Sequence, residues 1–183
     1  MTEPLAALLQ VIGAGLDEAS ARMAKMSHAT WTLQTVSVRR FEPREYSAAF
    51  SADRGEGFGA IFNAGGMSLV VFLSAPAASA ISRAYLGPAY TTASERSAVA
   101  EISNIVVGAL VDEIGDATEE LLLLTAPLLV EGRRCDVMTR VARDFRLEDR
   151  EGPLVSQVQM SAENLSADFT LVLLMPGDLR SRF

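Results

Sequence analysis

Cysteine, histidine and tryptophan each occur only once in these 183 residues, as Cys135, His28 and Trp31. A single cysteine excludes an intrachain disulfide and fits a reducing compartment. A single histidine excludes histidine metal clusters and leaves no Ser/His or Cys/His nucleophile pair worth naming. His28 lies between two patterned segments and reads as a loop or helix-end residue. Cys135, in EGRRCDVM, has arginines before it that would favour its thiolate but no base partner in sequence, and reads as a structural or incidental thiol. Basic residues are also scarce: 16 Lys and Arg against 23 Asp and Glu give a net charge of -7. With no Lys/Arg run, that balance excludes a nucleic-acid footprint. No apolar run approaches the roughly 20 residues of a membrane span. The N-terminus lacks the basic n-region of a signal peptide. The expectation is a cytoplasmic protein.

What the chain does have is core-forming material. Hydrophobic residues make up 49% and charged residues 21%, enough for one globular domain with a sizeable core. Leu5, Leu8, Leu9, Ile12, Leu16, Ala19 and Met23 recur at helical spacing, so Leu5–Met26 reads as a helix. Gly13 and Gly15 interrupt it, which implies close packing. Thr30–Phe41 alternates and is rich in β-branched residues, as a strand does. Tyr46–Ser51 is a weaker strand and DRGEG a turn. Gly57–Asn63 and Met67–Ser74 read as a hairpin across Ala64-Gly65-Gly66. Ser74 caps a short helix that ends near Leu86-Gly87-Pro88. Thr92–Ile114 is a long helix closed by Gly115. Leu121–Leu129 reads as an apolar strand, Asp136–Phe145 as a short helix, and Leu154–Ala162 and Asp168–Met175 as two strands. The expected class is α+β, with two long helices packed on a mostly antiparallel sheet.

The long helix carries an unusual set of residues. Ser97, Glu101, Asn104 and Pro127 form Ser-x3-Glu-x2-Asn-x22-Pro, which average residue usage produces in about one chain in several hundred. At 100° per residue with Ser97 at zero, Glu101 lies at about 40°, Asn104 at about -20° and Gly108 at about 20°. Val99, Ile102, Val106, Ala109 and Leu110 cluster opposite, so one face is core and the other displays Ser, Glu, Asn and Gly. Glu and Asn on such a face are most often simply solvated. Asn is a poor mid-helix former, however, and calls for another explanation. A carboxylate and a carboxamide held side by side can orient a water. Gly108 leaves room for a partner's backbone.

An internal echo lies about half the chain away. Leu8 to Gly15 can be laid on Glu101 to Gly108, matching Ile12 with Ile105 and Gly15 with Gly108, with Asp17-Glu18 and Asp112-Glu113 following. A duplicated helix-plus-strands unit would explain it, with halves of roughly 1–90 and 91–183.

The full four-residue motif, the wording EISNIVVGALVDEIGD and the N-terminal VIGAGLDEASARMAKM resemble the CheC/CheX/FliY family of chemotaxis phosphatases. The resemblance covers most of the chain and implies a CheC-like pseudo-twofold fold. Some members carry the motif again on the first helix. Here the matching positions are Pro4, Leu8, Val11 and Gln34, so the resemblance implies a single site, as in CheX. It further implies dephosphorylation of the aspartyl phosphate of a CheY-like response regulator, in chemotaxis or another two-component circuit. Asn104 and Glu101 would position the water, Glu101 would pair with a partner lysine, Ser97 would be a helix-face contact and Pro127 architectural. No intrinsic cofactor or metal is expected, because Mg2+ would come with the response regulator. The alternative is a non-catalytic module that binds a response regulator or a CheD-like partner. A homodimer is compatible with either reading, whereas nucleic acid and membrane are not expected partners.

Overall fold

The structure is a computed structural model and describes residues 3–40, 55–146 and 154–176. Helix α1 (Glu3–Ser27) leads into β1 (Thr32–Arg40), and β2 (Glu56–Ala64) and β3 (Met67–Ser74) form a hairpin. Then follow α2 (Ala75–Leu86), a 3-10 turn at 87–89, α3 (Thr92–Thr118), β4 (Leu128–Arg133), α4 (Arg134–Asp144), β5 (Leu154–Ala162) and β6 (Ala167–Met175). The expected α+β class is borne out. Every described strand pair is antiparallel, in a six-stranded sheet ordered β1-β5-β6-β3-β2-β4. The expected strand at Tyr46–Ser51 and the start of the DRGEG turn lie outside the described residues.

Local chemistry accounts for most of the boundaries. Gly65 and Gly66 have φ of 53° and 80°, the positive pair that a tight hairpin turn demands. The Ala77 amide donates to the Ser74 hydroxyl at 3.3 Å, with Pro76 just inside the helix. Thr91 and Ser94 form a reciprocal cap on α3, each accepting from the other's backbone amide.

Two expected boundaries are corrected. First, α3 runs through Gly115 to Thr118. Glu119, in the left-handed region at φ 54°, ends it, while the Glu119 amide donates to Asp116 O and the Glu120 amide to Gly115 O. This pair of bonds is a Schellman close. Gly115 serves the close itself, since a Cβ there would sit 2.9 Å from Glu120 O. Second, the apolar run at 121–129 is mostly not strand, because β4 begins only at Leu128. Leu128 pairs with Ile61, and the next residue back is Pro127, which has no N–H to extend the ladder. Thr125 then holds β2 by its own bonds: its amide donates to Asn63 O, and the Asn63 amide donates to the Thr125 hydroxyl, both at 3.0 Å.

The main core lies between α1, α2, α3 and one sheet face, built from residues such as Ile12, Leu16, Leu69, Val71, Val106, Leu110, Leu171 and Leu173. The other face buries Val70, Phe72, Val172 and Leu174 under α4, through Val137, Met138 and Val141. Strands covered on both faces read as continuous apolar runs, which is why β3 and β6 show little alternation. Trp31 closes one end: its indole N–H donates to Ser27 Oγ at 3.0 Å, and its ring tilts against Phe169.

The order helix, strand, hairpin occurs twice, as α1, β1, β2–β3 and as α3, β4, β5–β6. The single strand of each set lies against the other set's hairpin: β1 pairs with β5, and β4 with β2. The two long helices pack together closely at Gly15, where a Cβ would stand 2.8 Å from the Leu110 Cα. At Gly13 a Cβ would meet nothing within 4 Å. The expectation of close packing therefore holds at one glycine and not the other. Backbone cannot yield as a side chain can, so overpacking of about 1–3 kcal/mol should outweigh the ~1 kcal/mol helix gain at Gly15. Gly15→Ala is expected to lower the urea midpoint and Gly13→Ala to raise it. Movement of both in the same direction would contradict this packing.

Candidate functional site

Helix α3 is fixed along its length before it displays anything. Tyr90, just ahead of it, donates its hydroxyl to Glu95 at 2.7 Å and lies 3.2 Å from the Ser79 hydroxyl, with the Arg83 guanidinium 4.7 Å over its ring. Ala98, Val99, Ile102, Val106, Ala109, Leu110 and Ile114 are buried in the main core or beside it. The stripe expected from the wheel does face outward: Ser97, Glu101 and Asn104 are exposed and Gly108 is half-buried, on a solvent side that also exposes Arg96, Asp112 and Asp116.

Glu101 and Asn104 stand one helical turn apart, which places their Cβ atoms about 5–6 Å from each other. Neither makes a hydrogen bond or ion pair with another described residue, so both side chains are available to an external group. No atom lies within 4 Å of where a Cβ at Gly108 would be. One turn beyond Asn104, the surface is thus bare backbone that a partner can approach.

Pro127 is half-buried at the end of the β4 ladder. Its segment is drawn to the helix by Arg96, whose Nη2 donates to Leu129 O at 2.7 Å. Arg96 carried no signal in the sequence, where it sits unremarked in ASERSAVAE. Only the fold shows that it grips the strand two residues past Pro127. The Thr125–Asn63 pair was equally silent, because the two residues are 62 positions apart.

The echo between the helices takes a different register in three dimensions. Laying Leu8 on Glu101 sets a buried residue against an exposed one. Aligning the helix ends, Ser27 with Thr118, sets Leu8, Ile12, Leu16, Ala19 and Met23 on Val99, Ser103, Val107, Leu110 and Ile114, all of them buried. Both end residues also bond back to the carbonyl four before, Ser27 to Met23 and Thr118 to Ile114. In that register Gln10 and Gly13 stand opposite Glu101 and Asn104. Neither register puts a Glu/Asn pair on α1.

No protein-family model and no curated protein matches the sequence. Solved structures do match the fold. FliY from Thermotoga maritima superposes with a TM-score of 0.71 at 15% identity, covering 100% of this chain and 94% of that one. The CheX chemotaxis protein from Desulfovibrio desulfuricans gives 0.62 at 12%, covering 90% and 99%. The FliM middle domain from H. pylori gives 0.67 at 10%, covering both chains in full.

The chain has the CheC-like fold. At 10–15% identity these likenesses establish the fold alone. Among the described residues no three His, Cys, Asp or Glu side chains gather as a metal-holding group, and no described helix is long and apolar enough to cross a membrane.

Arg96 gives a direct check on this geometry. Arg96→Ala removes a charge-assisted bond at an exposed site and is expected to cost about 1 kcal/mol in urea unfolding. Arg96→Lys, which lacks the guanidinium fork, is expected to recover only part of it. Full stability in Arg96→Ala would mean that this bond does not hold β4 to α3.

Proposed function

We propose that this protein hydrolyses the aspartyl phosphate of a CheY-like response regulator, using Asn104 and Glu101. The observation that carries the reading is the exposed Glu101/Asn104 pair, without a partner among the described residues, on a helix whose opposite face is buried in the core. Fold likeness to FliY and CheX proteins supports it, as does the complete Ser97, Glu101, Asn104 and Pro127 spacing.

An acyl phosphate is already reactive, so positioning a water in line with the leaving carboxylate supplies most of the catalysis. The water oxygen attacks phosphorus, the bond from phosphorus to the aspartyl oxygen breaks, and inorganic phosphate and a free carboxylate result. The Asn104 carboxamide can accept a proton of that water through its oxygen and donate to a phosphoryl oxygen through its nitrogen. Glu101, one turn earlier, pairs with a lysine of the regulator and fixes the helix against it. Mg2+ held by the regulator offsets the phosphoryl charge. Ser97 and Gly108 extend the contact along the helix, and Pro127 ends β4 where Arg96 holds it.

A non-catalytic reading draws on the comparable likeness to FliM. In that reading the same face of this chain binds a response regulator, or a CheD-like protein, without hydrolysis.

The test is phosphate release from acetyl-phosphate-treated response regulators of the same genome. The wild-type chain is expected to accelerate loss from at least one of them. Asn104→Ala is expected to slow it by about 100-fold or more, the usual loss on removing one placed group. An Asn104→Ala protein as fast as wild type sinks the mechanism. Binding with no acceleration selects the non-catalytic reading. Gly108→Ala separates fold from contact: the helix gains up to ~1 kcal/mol of stability, while KM for the regulator rises.

A further inference from the structure

The residues joining α3 to β4 present leucine to solvent in a fixed way. Leu121 is 88% exposed, Leu123 75% and Leu128 48%, three of the four large hydrophobics left exposed among the described residues. Between them, Leu122 and Leu124 pack onto the main core. A Cβ at Gly65 would collide with the Leu122 side chain, so the glycine makes room for it. The outward pair cannot turn in without lifting the inward pair. Both ends are tied as well: the Glu120 amide donates to Gly115 O, Thr125 and Asn63 exchange two bonds, and Arg96 holds Leu129. The segment starts at the C-terminal cap of α3 and returns to the level of Arg96. It therefore runs back alongside the stretch of helix that carries Asn104, which lies within about 80° of Arg96 on the helix wheel.

Charge restricts what can cover these leucines. From Thr92 to Gly132 the chain has eight acidic residues and one basic one, and that one, Arg96, donates to a backbone carbonyl. Glu119 and Glu120 precede the leucines and Glu131 follows them. A second copy would bring the same acidic rim against itself, and an anionic membrane would be repelled. We infer that Leu121 and Leu123 are the docking platform for the response regulator, taking an apolar patch flanked by Lys or Arg on the regulator's surface. This rests on the proposed phosphatase reading and gives its specificity a location outside the catalytic pair. Apolar contact made equally in the ground and transition states lowers KM and leaves kcat alone.

The double variant Leu121→Ser/Leu123→Ser tests it, with the regulator that wild type serves best. KM is expected to rise about tenfold or more, as expected from losing two buried leucines, with kcat within about twofold and an unchanged melting temperature, since both side chains are exposed. Raising salt should weaken binding of the beryllofluoride-activated regulator to Asn104→Ala protein, and adding the leucine changes to that protein should raise its Kd about tenfold or more. An unchanged KM, with Asn104→Ala still inactive, overturns the platform and leaves the phosphatase reading standing. If no regulator is dephosphorylated by wild type, that reading fails, and the platform is judged by binding alone: leucine-dependent binding supports it, while leucine-independent or absent binding overturns it. A wild-type dimer that the double variant turns into a monomer would assign the patch to a second copy and overturn it too.

Discussion

The rotation of α3 about its own axis decides what this protein can show to a partner, and the close contact with α1 sets that rotation. Gly15 lies so near the Leu110 backbone that no side chain fits between them. With Leu110 held there, Val106 and Ile102 fall into the core, and Glu101 and Asn104 are carried outward. A turn of about 100° is the angular step of one residue, and it would bury a carboxylate. Burial of an unpaired carboxylate is costly, so the packed glycine and the exposed pair enforce one orientation together. Arg96 and the Schellman close then bring the following segment back along the oriented helix.

Much of this could be read from the residues. Helical spacing in 5–23 gave α1, the glycine pair gave the hairpin turn, and Ser74 with Pro76 gave the start of α2. The displayed face of α3 followed from a 3.6-residue period, because Ser97, Glu101 and Asn104 are polar against an apolar remainder. What was not legible depended on distant parts of the chain. Gly115 looks like a helix stop, yet its use is to let Glu120 fold back over it. Leu121 to Leu129 has the composition of a strand, but Pro127 withholds the N–H the ladder needs there, and only half of the leucines find a core. Arg96 and Thr125 are ordinary residues in sequence and become important through a carbonyl and an asparagine far along the chain.

The echo between the two helices shows the limit of matching by letters. A shift of two residues rotates a helix by about 200°, so nearly identical alignments can join opposite faces. Burial supplies the missing phase: the register in which five apolar or small buried positions coincide is the one that also matches the helix ends. Both registers leave α1 without a carboxylate and carboxamide side by side.

The exchange of single strands between the two helix–strand–hairpin sets has a consequence during synthesis. Among the described strands β1 pairs only with β5, and Thr32 bonds to Ser161, 129 residues away. At about 5–20 residues per second, the ribosome finishes β5 many seconds after β1 has emerged. For that interval β1 has none of the strand pairing described for it in the finished fold. That edge of the sheet can therefore close only after the C-terminal half has been made, whatever the N-terminal helix and hairpin have formed by then.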